Sequence, residues 1–263
     1  MILIGEKLNS SIPSTLEAFE ARNEAAVLSL IQLQEKAGAA YLDVNTSLCA
    51  NEQDALLWVA GLIRAHSKCG IMIDTADPEV MAQAVQAAQG TDFILNSATI
   101  DERFEEVTSL AKKSNAALVA LPISLEGQEP GLKGRCANID KLIGKLRQAG
   151  IPDKHIFLDV LAETLATDTE SAKTAIGAIA YTAASYPQVK TTCGLSNVSF
   201  GLPRRGLINS AFLTTAVFSG LSSAILDPSS RPLRDALAAA LAIAGQDDFC
   251  MDYITYLREQ EQA

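Results

Sequence analysis

Aromatic side chains are scarce in this chain: Phe, Trp and Tyr make up 5% of its 263 residues. A core short of them is filled by Ala, Val, Leu and Ile, which suits helices packed closely on a parallel sheet. Histidine is scarcer still, limited to His66 and His155, and the five cysteines include no C-x-x-C pair. The sequence therefore advertises neither a zinc site nor a disulfide framework, and reduced, partly buried thiols are expected. Positive charge is in deficit, with 21 Lys and Arg against 31 Asp and Glu, a net charge of −10. Such a surface repels phosphate backbones, which argues against nucleic acid as a partner. No apolar run approaches the roughly 20 residues that span a bilayer. The opening MILIGEKLNS turns polar too early for a secretory leader, so a cytoplasmic protein without membrane contact is expected. Neither G-x-G-x-x-G after the first apolar run nor G-x-x-x-x-G-K-[ST] is present, so nucleotide-phosphate cradling is not signalled.

What is present is a repeat of one unit. Hydrophobic residues make up 48% and charged ones 20%, the balance of a globular chain with a large core. Short apolar runs occupy residues 2–4, 40–44, 71–73, 92–95, 116–121, 155–158, 190–195 and 221–226. Each is followed by a segment of helical period: 14–37, 53–68, from 78, 102–114, from 137, 169–184, from 207 and 232–244, with a last helix at 247–261. Between the fifth run and its helix, residues 124–135 read as a long polar, glycine-rich loop, SLEGQEPGLKGR. Eight strand–helix units in a chain close to the ~250 residues of a β/α barrel predict a single (β/α)8 TIM barrel over 1–263, with an extra C-terminal helix.

In such barrels the chemistry collects at the C-terminal ends of the strands. Here those ends carry Glu6, Asn9, Asp43, Asn45, Asp74, Asn96, Asp159, Asn197 and Asp227. Carboxylates accept hydrogen bonds and amides both donate and accept, so the set suits a ligand with several N–H and amide-like edges. With no strand-end lysine, Schiff-base chemistry loses its nucleophile; without a His–carboxylate cluster, metal-assisted hydrolysis lacks support. Asp74 and Asp227 also stand where a helix N-cap would, and Asn197 where an Asx turn would. The densest stretch is TTCGLSNVSFGLPRRGLIN at 191–209, a short strand that hands an amide and hydroxyls to a glycine-punctuated loop.

Six motifs, IGEKLN at 4–9, DVNTS at 43–47, IDT at 73–75, ILNSAT at 94–99, LDV at 158–160 and GLSNVSFGLPRRGLIN at 194–209, occur in this order. In this the chain resembles the methyltetrahydrofolate:corrinoid protein methyltransferases, pterin-binding enzymes related to the folate domain of cobalamin-dependent methionine synthase. The resemblance implies that Asp74, Asn96 and Asp159 bind the aminopyrimidine edge of a pterin, with Glu6 at the same mouth. It implies that Asn197 stands beside the methyl-bearing nitrogen of the folate, that Gly194 lets the folate approach the backbone, and that Arg205 steadies the loop or meets an anionic group. The position before Arg205, often Asn in the family, is Arg204 here. It further implies a tetrahydrofolate substrate, no metal bound by the barrel itself, and a homodimer, for which the apolar segments 237–244 and 249–257 offer a surface. The family's corrinoid proteins carry a D-x-H-x-x-G signature that neither histidine fits, so cobalamin is expected on a separate protein that docks over the barrel mouth; residues 124–135 are either part of that docking surface or a crossing with no partner role. The implied reaction is methyl transfer from methylcorrinoid protein to tetrahydrofolate. Its alternatives are a dihydropteroate synthase-like pterin enzyme or a non-catalytic folate-binding subunit; the second-strand signature of dihydropteroate synthase, Asn followed by Thr-Pro-Asp-Ser-Phe, is not found here.

Overall fold

The structure is a computed structural model that describes residues 1–127 and 129–261, the last by its backbone alone. Eight parallel strands form the barrel: β1 (Ile2–Asn9), β2 (Tyr41–Asn45), β3 (Gly70–Asp74), β4 (Phe93–Ala98), β5 (Ala117–Ala120), β6 (Ile156–Asp159), β7 (Lys190–Thr192) and β8 (Ser223–Leu226). They pair in chain order from β1 to β7, and β8 pairs with β1. The helices are α1 (Pro13–Glu20), α2 (Glu24–Lys36), α3 (Glu52–His66), α4 (Pro78–Ala87), α5 (Phe104–Ser114), α6 (Gly131–Gln148), α7 (Ser171–Ser185), α8 (Arg205–Phe218), α9 (Arg231–Ile243) and α10 (Met251–Glu261). The expected barrel is observed, with α10 as its extra helix.

At the seam β7 is too short to run a full ladder with β8. A single bridge joins Gly194 to Ile225, and hydroxyls supply the rest. Ser223 Oγ donates to the Thr191 carbonyl at 2.8 Å, the Ser222 amide donates to Thr191 Oγ1 at 3.0 Å, and the Thr191 amide donates to Ser222 Oγ at 2.8 Å.

Alternation along the strands divides the core. Outward residues such as Leu42, Ile71, Ile73, Leu95, Leu118 and Leu158 join the helices in the large outer core. Inward Ile4, Met72, Ile94, Val119 and Phe157 plug the barrel as a separate small cluster. Two residues further along the same faces stand Glu6, Asp74, Asn96 and Asp159, so strand parity carries these polar side chains into the barrel above its apolar plug.

Several element boundaries differ from the sequence reading: β1 runs on to Asn9 instead of ending at 4, α10 starts at Met251 instead of 247, and three more changes have a visible cause. The helix expected over 14–37 is two helices, because Arg22 takes the left-handed conformation (φ 51°) and Asn23 then caps α2, its side chain accepting from the Ala26 amide at 3.2 Å. The loop expected over 124–135 ends sooner: α6 starts at Gly131 and Arg135 is buried inside it, while position 128 of that segment lies outside the described residues. The seventh strand stops at Thr192 rather than 195, and a 3-10 turn, Leu195–Ser199, takes over. Among the described residues no helix is long and apolar enough to cross a membrane.

Candidate active site

Six of the strand-end polar residues meet in the barrel mouth. Asn45 Nδ2 donates to Asp74 Oδ2 at 2.7 Å, Ser196 Oγ donates to Glu6 Oε2 at 3.1 Å, and the Leu161 amide donates to Asp159 Oδ1 at 2.7 Å. The Asn96 side chain donates to Met72 Sδ at 3.7 Å and lies close enough to Asp43, the deepest of the acids, to favour its ionised form. Asn9 and Asp227 are used differently. The first closes a turn by accepting from the Ser11 amide, and the second pairs with Lys7 at 2.8 Å and accepts from Ser229.

Burial sets the charge state of this pocket. It raises the pKa of Glu6, with Asp227 adding to the rise and Ser196 opposing it. Asp43 is pushed well above the carboxylate range by burial, and Asp74 and Glu6 add to the rise. Asp74 is raised by burial against the Asn45 bond and the Arg103 guanidinium, and Asp159 is pushed up by burial to about 6. Cations oppose the rise at three of these acids, Arg103 at Asp74, Arg135 at Asp159, and Arg205 with Lys7 at Glu6, Lys7 being paired with Asp227. Burial outweighs them at all three, and buried acids of this kind favour a ligand that arrives with N–H donors.

Two buried atoms at this level have no partner: Asp43 Oδ1 and, beside Asp159 in the strand register, Thr192 Oγ1. A buried polar atom without a bond costs stability, and a ligand that bonds it removes the cost. Thr192 lies outside the set collected from the sequence, although alternation from Lys190 turns it inward. Ser196, the partner of Glu6, was also outside that set; its only signal was its place between Leu195 and Asn197.

Above the pocket, Asn197 is exposed at the rim within the 3-10 turn. Its side-chain nitrogen lies over Gly194, 2.9 Å from where a Cβ on that glycine would stand. Gly194→Ala therefore displaces the Asn197 amide. The expected result is a loss of activity at least as large as any loss of ligand affinity, read as a split between kcat and Kd. Arg205 points back into the loop: Nε donates to Ser199 Oγ at 3.0 Å and Nη2 to the Ser196 carbonyl at 2.7 Å. Arg204 before it holds φ 52°, a left-handed conformation in which Asn is several-fold enriched.

A parallel barrel with a mouth of buried acids and amides defines the class: a β/α barrel whose polar groups gather at the C-terminal rim of its strands. Residues 5–227 match the pterin binding enzyme family, and the chain belongs to that family. It is 28% identical to the methylcorrinoid:tetrahydrofolate methyltransferase of Eubacterium limosum, over 98% of this chain and 97% of that protein. It is 29% identical to the methionine synthase of Mycobacterium leprae over 87% of this chain, a match that spans 20% of that longer protein. The fold is similar to dihydropteroate synthases. That of Coxiella burnetii in complex with pteroic acid superposes with TM-score 0.72 at 19% identity, covering 92% of this chain and 93% of that one. That of Vibrio fischeri superposes with TM-score 0.72 at 18% identity, covering 93% of each. At such identities the shared feature is the barrel.

Proposed function

We propose that this chain is a methyltransferase that moves a methyl group between a corrinoid protein and tetrahydrofolate, in the direction of methyltetrahydrofolate. The observation that carries this reading is the end-to-end similarity to the Eubacterium limosum enzyme, 98% of one chain and 97% of the other. The orphaned buried oxygens of Asp43 and Thr192 support a ligand that reaches the pocket floor.

Displacement of a methyl group between a tertiary amine and cobalt requires no nucleophile from the protein, so the chain contributes alignment and electrostatics. Asp74, Asn96 and Asp159 bind the aminopyrimidine edge of the pterin, which turns its reacting ring outward. Glu6, held by Ser196, lies at the same mouth. Asn197 stands over Gly194 beside the reacting nitrogen; a neutral amide can donate to a free amine or accept from a protonated one. Arg205 sets the turn that presents Asn197. The corrinoid, carried by a separate protein that docks over the mouth, supplies or accepts the methyl group when bound. The residues here bind no metal in this scheme.

We also read the chain as a cytoplasmic homodimer. α9 packs along α8 and α10 along α9, so 237–244 is partly used as cover, while an apolar groove of about 550 Å³ lined by Leu165, Ile176, Ile208 and Phe212 lies open between α7 and α8. Leu207 and Phe218 are exposed on α8 and extend that face toward a second copy.

Incubation with methylcobalamin and tetrahydrofolate tests the reaction by the rise of cob(I)alamin absorbance. Condensation of a pterin diphosphate with p-aminobenzoate, without any corrinoid, would instead identify a pteroate synthase. Tetrahydrofolate binding with no spectral change would identify a carrier.

A further inference from the structure

Arg135 ends the glycine-rich segment that the sequence alone leaves without a task. It lies in the second turn of α6, 2% exposed, under the crossing from β6 to α7. Its Nη1 donates to the carbonyl oxygens of Val160 at 2.5 Å and Leu161 at 3.1 Å, and its Nη2 to Glu163 Oε2 at 2.8 Å. Its Nε is buried with no partner. The preceding Gly134 explains the placement: a Cβ there would stand 1.7 Å from the Glu129 carbonyl oxygen, so only glycine lets α6 fold this closely on its own entry loop. Leu161 in turn is held at φ 58°, a left-handed conformation uncommon outside glycine, which persists only where the surroundings enforce it. In that conformation its amide meets Asp159 Oδ1 at 2.7 Å.

We propose that Arg135 is a positioning residue for Asp159: by gripping the Val160 and Leu161 carbonyls it holds the left-handed turn that keeps the Leu161 amide on the Asp159 carboxylate and aims that carboxylate into the pocket as an acceptor. The consequence for ligand binding rests on the pterin pocket proposed above; the coupling of Arg135 to Asp159 does not.

The charges that face Asp159 are Arg135 from α6 and Asp74 from β3, with the Cys193 thiol from the β7 end. Burial pushes the thiol up and keeps it neutral. Burial likewise pushes Asp159 up to about 6, Asp74 adds to the rise, and the Leu161 amide and the Arg135 cation oppose it.

The test is a carboxyl-carbon NMR titration of the ligand-free protein labelled at aspartate, with Asp159→Asn assigning the resonance. The wild-type midpoint falls near 6. Arg135→Gln loses the cation and the forked grip, and moves the midpoint upward by about one pH unit. Arg135→Lys keeps the cation but not the forked grip on the Val160 and Leu161 carbonyls, so the Leu161 amide leaves the carboxylate and the midpoint rises there too. An unmoved midpoint in Arg135→Gln, or a rise in Arg135→Gln with Arg135→Lys left near 6, which is the signature of charge alone, overturns the inference. If Arg135→Gln does not fold, as judged by its melting curve, Arg135→Lys decides alone: a raised midpoint supports the role, and one near 6 overturns it. Tetrahydrofolate affinity against pH is measured in parallel. A moved titration in a protein that binds no folate refutes the pocket reading and leaves the coupling standing. An unmoved titration with intact folate binding refutes the role of Arg135 alone.

Discussion

Asn197→Ala slows methyl transfer between methylcobalamin and tetrahydrofolate by about 10²- to 10³-fold, the range seen when one preorganised transition-state hydrogen bond is removed. Its tetrahydrofolate affinity stays within about threefold of wild type, because a contact made mainly in the transition state lowers kcat without a matching loss of ground-state binding. The fold tolerates the change. The 3-10 turn is held by backbone bonds, the Asn197 amide to the Gly194 carbonyl at 3.2 Å and the Phe200 amide to the Asn197 carbonyl at 3.0 Å. Ser199 and Ser196 remain pinned by Arg205, and the exposed Asn197 side chain buries nothing that would be lost. Single-turnover transfer beside equilibrium folate binding separates the two effects. An unchanged transfer rate removes Asn197 from the reaction.

Asp159→Ala produces the opposite split: affinity for tetrahydrofolate falls by roughly 10- to 100-fold, as expected for the loss of a charged acceptor, while kcat at saturation changes little. The pH profile has a definite sign. The proposed contact needs the ionised carboxylate, so wild-type affinity is full above the Asp159 pKa of about 6 and declines as pH falls through it, whereas Asp159→Ala is flat across that window. The folded protein itself obeys the reverse rule. A carboxyl whose pKa is raised from 3.8 to about 6 on folding binds its proton more tightly when folded. Its ionised form therefore costs the empty fold on the order of 3 kcal/mol at neutral pH, and that cost disappears as pH falls from 6 toward 4. Asp159→Asn, which keeps an oxygen for the Leu161 amide, accordingly raises the unfolding midpoint at pH 7 while weakening the ligand. A variant that loses both stability and affinity would assign Asp159 to the fold instead of the site.

Much of the barrel is legible in local pattern. Each strand is a short apolar run with a polar end, because a parallel strand is buried on both faces until it reaches the mouth. The rule that collects strand ends also collects most of what faces inward here: Glu6, Asp43, Asn45, Asp74, Asn96 and Asp159. It fails where local signals compete. Helical periodicity runs straight across Arg22, so the break before α2 is carried only by the capping preference of Asn23. In the glycine-rich segment at 124–135, glycine suggested loop along its whole length, whereas Gly134 serves the tight start of a helix.

The sequence by itself determined the architecture and the chemical character of the mouth, because strand alternation and strand-end polarity are properties of neighbours along the chain. Only the tertiary structure decided what these groups do to one another. That Asp43 is the deepest acid follows from its place among Asp74, Glu6 and Asn96, which come from three other strands. That Arg135 reaches the carbonyl of Val160, 25 residues away, follows from how α6 seats against β6 and its exit loop. Burial and register across elements are collective, and they turn a list of acids and amides into a pocket whose deepest members lack partners of their own.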